Sequence, residues 1–171
     1  MKFAIEPLAQ CWDEMVALAA LHWQETEGYR HGQPFAPSLE RYKQYDDMGW
    51  YFEGTARDDS GKMVGYCGMY IVPSMHSQCQ IAVEDSLFIV PEHRKGRNAI
   101  RFIQFLEAEC RRRGVVEISI TAKNEAVGRL LTHLDFSLTA WQYTKQIPPT
   151  VRADSPLLPE VEAVDVQRSA A

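Results

Sequence analysis

The order of strand-like and helix-like patterns in the middle of the chain restricts its fold most. Three consecutive runs with β character predict an antiparallel meander: Trp50–Arg57, Met63–Val72 and Gln80–Val90. A helical stripe over Ala99–Arg113 and a compact strand over Val115–Thr121 follow. Two strands of one sheet that are joined by a helix lie parallel, with a right-handed crossover. The sheet is therefore expected to be mixed.

The remaining segments complete an α/β order of β-α-α-β-β-β-α-β-α-β, with a mixed central β-sheet flanked by helices. Lys2–Glu6 predicts the first strand, and helical spacing of apolar residues begins at Pro7. Ser38 is expected to cap a second helix, Leu39–Asp47. The last two predicted elements are a helix over Asn124–Leu134 and a β segment over Phe136–Ile147.

Length and composition indicate one folded domain. The chain has 171 residues, of which 46% are hydrophobic, as is usual for a single globular domain. We expect this domain to cover residues 1–147. The composition becomes proline-rich after that point, so residues 148–171 are expected to form a tail that is flexible or lies on the surface.

Charge and cysteine usage exclude several classes of function. The net charge of −5 argues against general binding to nucleic acid or to an anionic membrane, both of which need a basic surface. No signal peptide or membrane-spanning run is recognisable. The four cysteines form no C-x-x-C pair and no metal-binding cluster. We expect reduced thiols in a cytoplasmic protein without a metal site.

A basic turn between the third strand of the meander and the next helix carries the clearest functional signal. Residues 93–98 read H-R-K-G-R-N. A helix N-terminus stabilises an anion, and Gly96 lets the backbone approach that anion closely. Arg94, Lys95 and Arg97 add full positive charges. The turn predicts a diphosphate site, and a solvated basic loop is the alternative interpretation.

With these elements in this order, the chain resembles the GNAT acetyltransferase family. The family's signature between its fourth strand and third helix is Q/R-x-x-G-x-G/A, and the resemblance covers roughly residues 2–145, most strongly 84–136. His93 stands where Gln or Arg is usual, and Asn98 where the second Gly or Ala is usual. Asp135 replaces the Gly of the family's common L-G-F. The resemblance implies a fold that binds acetyl-CoA.

The resemblance also implies which residues bind coenzyme A. In the family, the backbone of the signature turn wraps the diphosphate. Strand four splays away from strand five and pairs with the pantetheine arm, which an Asn after strand five often touches. These roles carry over to Arg94, Lys95, Gly96, Arg97, Asn98 and Ala99 for the diphosphate, and to Leu87, Phe88, Ile89, Val90 and Asn124 for the pantetheine arm.

The implied reaction is direct attack of a primary amine, from a small molecule or peptide, on acetyl-CoA. The amine is protonated at neutral pH, so a general base is expected. Glu84 and Asp85 are the candidate catalytic residues, and because neighbours on a strand face opposite ways, only one faces the site. Glu84 is favoured, and His76 is a further candidate. The family's usual acid, a Tyr, aligns with Leu131, so the acid is unassigned and Tyr143 is an untested substitute.

Aromatic residues are frequent in the region that sets acceptor specificity in the family, which is the first two helices and their loop. They predict a pocket for an aromatic or cationic amine, although some fit the helical stripes and could be core. Glu25 and Glu27 could attract an amine or be solvated. The aromatic and imidazole side chains of this region are His22, Trp23, Tyr29, His31, Phe35, Tyr42 and Tyr45.

Two functions of other classes stay open at this stage. One is an acyl-CoA-binding regulatory module that has lost turnover, which the missing Tyr favours. The other is a phosphate-binding protein that uses the same turn for a different ligand. The sequence is compatible with a homodimer but identifies neither the oligomeric state nor the acceptor.

Overall fold

The computed structural model describes residues 1–28 and 34–147. Within them lie five strands, four α-helices and a 3₁₀ turn at Pro91–His93. In chain order the elements are β1 (Lys2–Ile5), α1 (Leu8–Thr26), α2 (Leu39–Asp47), β2 (Tyr51–Arg57), β3 (Met63–Pro73), β4 (Gln80–Ile89), α3 (Asn98–Arg112), β5 (Val115–Ser119) and α4 (Glu125–His133). They belong to one compact unit, Met1–Ala140, and a second unit begins at Trp141. The predicted tail, Tyr29 and His31 lie outside the described residues.

The sheet is mixed, as the sequence predicted. Its five strands lie in the order β1-β2-β3-β4-β5. The first three pairings are antiparallel, and β4 pairs with β5 in parallel. Since α3 joins β4 to β5, this is the expected helical crossover. The bounds of α2 match the prediction, and the Oγ atom of Ser38 accepts a hydrogen bond from the Arg41 N–H (3.4 Å) as its cap.

Buried apolar side chains pack on both faces of the sheet. The first cluster, here the α3 core, lies between the sheet and α3 and includes Phe52, Met69, Ala82, Phe102, Leu106 and Cys110. The second, here the α1 core, lies between the sheet and α1 and includes Leu8, Cys11, Met15, Tyr51, Tyr66 and Phe88. Helices therefore flank the sheet on both sides, and α1 leaves room for a cavity beside its own core.

The close approach of α3 to β2 depends on a glycine. A Cβ atom at Gly54 would overlap Cδ2 of Leu106, a fully buried side chain. We expect Gly54→Ala to destabilise the fold by about 1–3 kcal/mol, because overpacking a close-packed core forces side chains and backbone to shift. Urea unfolding measures this change. Gly128→Ala is the matched control, since its Cβ would come no closer than 3.9 Å to Ala122; a similar loss in both variants would contradict the prediction.

The predicted last strand is wrong. The described residues of Phe136–Ile147 contain no strand, so the observed order ends with α4. The side chains of Leu138 and Tyr143 are 76% and 92% exposed. Apolar and aromatic residues favour a strand mainly through packing and burial, which these side chains do not obtain. The predicted end of α4, Leu134, lies one residue past the observed end at His133. Asp135, which stands where the family commonly has Gly, adopts a left-handed φ of 64°, a conformation that Asp tolerates.

Other kinds of site find no support in the described residues. Within residues 1–28 and 34–147, no group of three His, Cys, Asp or Glu side chains could hold a metal ion. In the same part of the chain, no helix is long and apolar enough to cross a membrane. All four cysteines are free, and Cys11, Cys67 and Cys110 are buried while Cys79 is half-buried.

Candidate active site

A β-bulge in β4 determines which side chains face α1. In the pairing with β3, Ser86 lies opposite Gly68 and Glu84 lies opposite Met69, which leaves Asp85 as the extra residue. The bulge interrupts the alternation of side chains, so Asp85 and Ser86 both line the same cavity. Glu84 keeps the strand's regular alternation with Ala82, a residue of the α3 core.

The cavity has a volume of about 350 Å³ and lies beside α1. Its walls come from α1, from α2, from residues 34–37 and from strands β2, β3 and β4. Its acidic side chains are Glu27 and Asp85. Its aromatic and imidazole side chains are His22, Trp23, Phe35, Tyr42, Tyr51 and Tyr66. An aromatic-lined cavity is therefore present in the region where an acceptor pocket is predicted, and Tyr45 lies outside it, against Tyr70.

Asp85 offers this cavity a carboxylate. The Tyr42 hydroxyl donates a hydrogen bond to Oδ2 of Asp85 (2.9 Å). Burial raises the pKa of Asp85, the hydrogen bond from Tyr42 opposes the rise, and the charge of Glu27 adds to it. Among the described residues no Lys or Arg forms an ion pair with Asp85. A raised pKa and an unpaired charge suit a group that takes a proton from a cationic ligand.

Glu84 and His76 lie elsewhere. Oε2 of Glu84 accepts a hydrogen bond from the Thr121 N–H (3.2 Å), just past the end of β5. Burial raises the pKa of Glu84, and the bond from Thr121 and the charge of Lys123 lower it. His76 is exposed in the loop between β3 and β4. Neither side chain lines the cavity.

A hydroxyl and an imidazole are paired in the cavity wall. Nδ1 of His22 and the Tyr66 hydroxyl are 3.0 Å apart. The His22 ring also stacks on Phe88, with ring centroids 5.0 Å apart. Burial lowers the pKa of His22 and raises that of Tyr66. Both shifts favour the neutral forms, so the pair adds polarity without net charge.

Glu53 is buried beneath the cavity. Its Oε2 atom accepts a hydrogen bond from the hydroxyl of Tyr51 (2.7 Å), a cavity residue. Its Oε1 atom has no hydrogen-bond partner among the described residues. Burial raises the pKa of Glu53 to about 8, against the lowering effect of the Tyr51 hydrogen bond. Glu53 is therefore mainly a neutral carboxylic acid at pH 7.

We expect Glu53→Gln to change how stability depends on pH. The native state holds the Glu53 proton up to about pH 8, whereas an ordinary Glu releases it near 4.5. Between these values the native state binds more protons than the unfolded state, so stability falls as pH rises. The unfolding free energy of the variant relative to the parent should increase from pH 5 to pH 8.5, by about 1.4 kcal/mol at most per unit of pKa shift.

Thermal or urea unfolding at several pH values measures this difference. Glu125→Gln is the control, because the Glu125 side chain is 93% exposed at the start of α4. That variant should follow the pH profile of the parent. A difference between Glu53→Gln and the parent that does not vary with pH would show that Glu53 is charged in the native protein.

In the described structure, β5 stops pairing with β4 just before the bulge. The parallel pairing ends at Val83 and Ser119, while β4 continues to Ile89. The side chains of Phe88 and Ile89 are buried in the α1 core and the α3 core. What this part of β4 offers a ligand is therefore its edge-facing backbone N–H and C=O groups, apart from the Ile89 carbonyl, which accepts a hydrogen bond from Arg94.

The basic turn has space for an anion. Gly96 has a left-handed φ of 64°, and a Cβ atom placed there would meet no atom within 4 Å. In the described structure no side chain caps the first turn of α3, so its N–H groups are available. Nδ2 of Asn98 instead donates to the His93 carbonyl (3.0 Å), which stabilises the turn. Lys95 and Arg97 are exposed, and Ala99 is half-buried in α3.

Arg94 and Asn124 already have partners. The Arg94 guanidinium binds both carboxylate oxygens of Glu25 (2.7 Å each), and its Nε donates to the carbonyl of Ile89 (2.6 Å). Arg94 therefore links the turn to α1 and β4. Oδ1 of Asn124 accepts from the Val127 N–H (3.0 Å) as the cap of α4, so its side-chain NH₂ group is the part left for a ligand.

A comparison of the sequence with known families agrees with this arrangement. The profile of the family described as Acetyltransferase (GNAT) family matches residues 15–136. The chain belongs to the GNAT family. As a GNAT protein it is an acyltransferase, and no curated protein sequence matches it significantly.

Solved structures show the same fold. A ribosomal-protein-alanine N-acetyltransferase from Brucella melitensis biovar Abortus 2308 superposes with a TM-score of 0.67 at 20% identity, over 86% of this chain and 98% of that one. An acetyltransferase from Trypanosoma brucei gives a TM-score of 0.66 at 13% identity, over 85% and 99%. An aminoglycoside acetyltransferase from an uncultured soil metagenomic sample, in complex with sisomicin, gives 0.62 at 14% identity, over 88% and 96%.

Tyr51, Glu53, Tyr66 and Ser86 are among the side chains of the site that the sequence did not reveal. A usable signal was present for two of them. Tyr51 and Glu53 are two residues apart on β2 and therefore share a face, and the strand is buried almost throughout. A carboxylate inside such a strand is unusual enough to indicate a special environment. Ser86 depends on the bulge, for which no local signal was available.

Proposed function

We propose that this GNAT protein transfers an acetyl group from acetyl-CoA to a primary amine. The supporting observation is that β4 connects all parts of such a site. Asp85 and Ser86 line the cavity, the free edge of the strand follows directly, and the chain then enters the turn at Gly96. An acceptor amine in the cavity and a cofactor along the free edge would meet beside the bulge.

The residues present fit coenzyme A. The open space at Gly96 and the uncapped N-terminus of α3 suit the diphosphate, and Lys95 and Arg97 would add charge. The backbone of residues 87–90 and the side-chain NH₂ group of Asn124 would hold the pantetheine arm. When bound, acetyl-CoA supplies an acetyl thioester, an electrophile for an amine. The free cysteines support a reducing, cytoplasmic compartment.

Asp85 is the base that we propose, in preference to Glu84, since only Asp85 of these two lines the cavity. A lysine-like ammonium costs about 4–5 kcal/mol to deprotonate at pH 7, which a positioned carboxylate relieves. Asp85 would take one ammonium proton, and Tyr42 would keep the carboxylate oriented. In the overall balance a C–N bond forms, the C–S bond breaks, and the acceptor gives up two protons, one of which ends on the coenzyme A thiol.

The position that usually supplies the acid in the family offers no help to the leaving thiolate. Leu131, which aligns with the usual Tyr, is 6% exposed and carries no proton donor. A thiol has an ordinary pKa of about 8.5, so the thiolate is an acceptable leaving group without a protein acid. A modest rate is therefore expected, which keeps the regulatory acyl-CoA-binding module as the second candidate function.

Calorimetric titration separates these functions. Acetyl-CoA, dephospho-coenzyme A and inorganic phosphate are titrated into the purified protein, and free thiol is then measured with a panel of primary amines. Micromolar binding that needs both the pantetheine and the diphosphate, followed by thiol release, supports the proposal. Binding without thiol release for any amine supports the regulatory module. Competition by phosphate as effective as that by coenzyme A supports a phosphate-binding protein.

A further inference from the structure

The cavity beside α1 has two walls of different chemistry. The sheet wall and α2 contribute the Asp85 carboxylate and the hydroxyls of Ser86, Tyr42 and Tyr66. The wall formed by α1 and residues 34–37 offers mainly carbon surface, including that of Met15, Ala19, Trp23 and Phe35, together with the polar side chains of His22, Thr26 and Glu27. The rings of Trp23 and Phe35 lie 5.9 Å apart, centroid to centroid. A ligand that fills the cavity therefore meets the Asp85 carboxylate on the sheet side and the Trp23 and Phe35 rings on the opposite side.

The charged side chains that line the cavity suit a ligand with a single positive charge. Of the two carboxylates, Glu27 forms an ion pair with Lys123 (2.9 Å), whereas Asp85 has no cationic partner in the described structure. Neither Lys nor Arg is among the described lining residues. Tyr42 occupies Oδ2 of Asp85, which leaves Oδ1 for an ammonium group. A second ammonium group would have to compete with Lys123 for Glu27, the other carboxylate in the lining.

The volume of the cavity and its aromatic side chains indicate what the uncharged part of the ligand is. About 350 Å³ is near the lower end of the usual range for small-molecule pockets, about 300–1,000 Å³. Trp23 and Phe35 offer ring faces and edges to another aromatic ring. A sugar with many hydroxyl groups would find few partners on this wall, and its hydroxyls would lose their hydration without compensation.

We propose that the acceptor is a small amine with one positive charge and an aromatic body, an arylalkylamine, whose ammonium group binds Asp85 while its ring packs against Trp23 and Phe35. The proposal rests on the proposed function for the acetyl transfer itself. It separates this chain from enzymes whose acceptors carry several charges. Its probe is 2-phenylethylamine, and the comparison amines are spermidine, sisomicin and a peptide with an N-terminal alanine.

Two matched variants on α1 test whether the aromatic ring of the amine lies in this cavity. Ala19 lines the cavity and Ala17, two residues earlier, is exposed. Ala19→Trp should fill the space for the aromatic ring and lower kcat/KM for 2-phenylethylamine by about 10-fold or more, since changes in pocket fit of this kind discriminate by about 10–200-fold. Ala17→Trp adds the same side chain outside the cavity and should change nothing. Affinity for acetyl-CoA should be that of the parent in both.

Calorimetry on the cofactor-free protein gives a second readout. We expect 2-phenylethylamine to bind the parent and Ala17→Trp but not Ala19→Trp, and to be acetylated with a kcat/KM about 10-fold above that of each comparison amine. A comparison amine that is acetylated more efficiently, or an undiminished response to 2-phenylethylamine in Ala19→Trp, overturns the inference while leaving the acetyltransferase proposal intact. Binding of 2-phenylethylamine that Ala19→Trp removes, with no acetylation of any amine, supports the cavity assignment and refutes only the transfer.

Discussion

Gly96→Glu is expected to weaken binding of acetyl-CoA by about 100-fold or more. A side chain at this position points into open space at the N-terminus of α3, where we place the diphosphate. Like charges about 5 Å apart at an effective dielectric constant of about 20 repel by about 3 kcal/mol, which is about a 100-fold loss of affinity. The left-handed φ of 64° adds strain for any residue with a Cβ atom. Calorimetric titration with acetyl-CoA measures the loss.

Gly114→Glu is the matched control for this variant. Gly114 also has a positive φ, 77°, and open space around its Cβ position. It lies past the other end of α3, a helix of 15 residues that is about 22 Å long at about 1.5 Å per residue. Its Glu variant carries the same strain and the same charge away from the turn, and should bind acetyl-CoA like the parent. Equal affinity in the two variants would refute the assignment of the turn.

The turn could be predicted from sequence because its determinants are local. A glycine with basic neighbours between a strand and a helix specifies a left-handed backbone and an exposed helix N-terminus, and Gly96 and α3 have both. The same holds for the caps Ser38 and Asn124, whose side chains accept from N–H groups three residues later. The mixed sheet followed from the order of strands and helices alone.

The choice between the two predicted candidates for the base, Glu84 and Asp85, could not be made in the same way. Regular alternation allows only one of Glu84 and Asp85 to face the site, and it gave no reason to place a bulge between Glu84 and Ser86. The bulge results from the register of β4 on β3, in which Gly68 and Met69 oppose three residues of β4. Register is a property of two paired strands, so the identity of the cavity residue became visible only in the structure.

The prediction of a last strand was wrong for a related reason, since strand formation also depends on a partner elsewhere in the chain. Residues 136–147 contain the apolar and aromatic side chains that strands favour. Strand formation depends on a pairing partner and on burial, and the exposed Leu138 illustrates a side chain with neither. Glu53 shows the opposite failure. A carboxylate in a strand is expected at a solvated position, but Glu53 is buried beside Tyr51, and burial makes its protonated form favourable.

Asp85→Asn is expected to lower kcat/KM for the amine by about 10²–10⁴ at neutral pH, the usual contribution of a general base. The substitution keeps the shape of the side chain and its contact with Tyr42, so the fold and the affinity for acetyl-CoA should be unchanged. The deficit should shrink at high pH, because the fraction of amine that is already neutral rises toward its pKa of about 10. Rates of thiol release across the pH range measure both effects.

The acidic side of the same pH profile distinguishes a base from a residue that only binds the ammonium group. The parent rate should fall as pH drops through the raised pKa of Asp85, because the protonated carboxyl group cannot accept a proton. Burial contributes most to this pKa, and the Tyr42 hydroxyl from α2 and the charge of Glu27, just past the end of α1, modify it. Tyr42→Phe removes the hydrogen bond that lowers the pKa, so the acidic limb should move to higher pH.

Glu84→Gln completes the test, since Glu84 is the alternative base on the same strand. We expect its pH profile to follow that of the parent, because its carboxylate accepts from Thr121 and does not line the cavity. A large loss in Glu84→Gln with little loss in Asp85→Asn would assign the base to Glu84 and reverse our proposal. A loss in Asp85→Asn that is the same at every pH, with an unmoved limb in Tyr42→Phe, would make Asp85 a binding residue only.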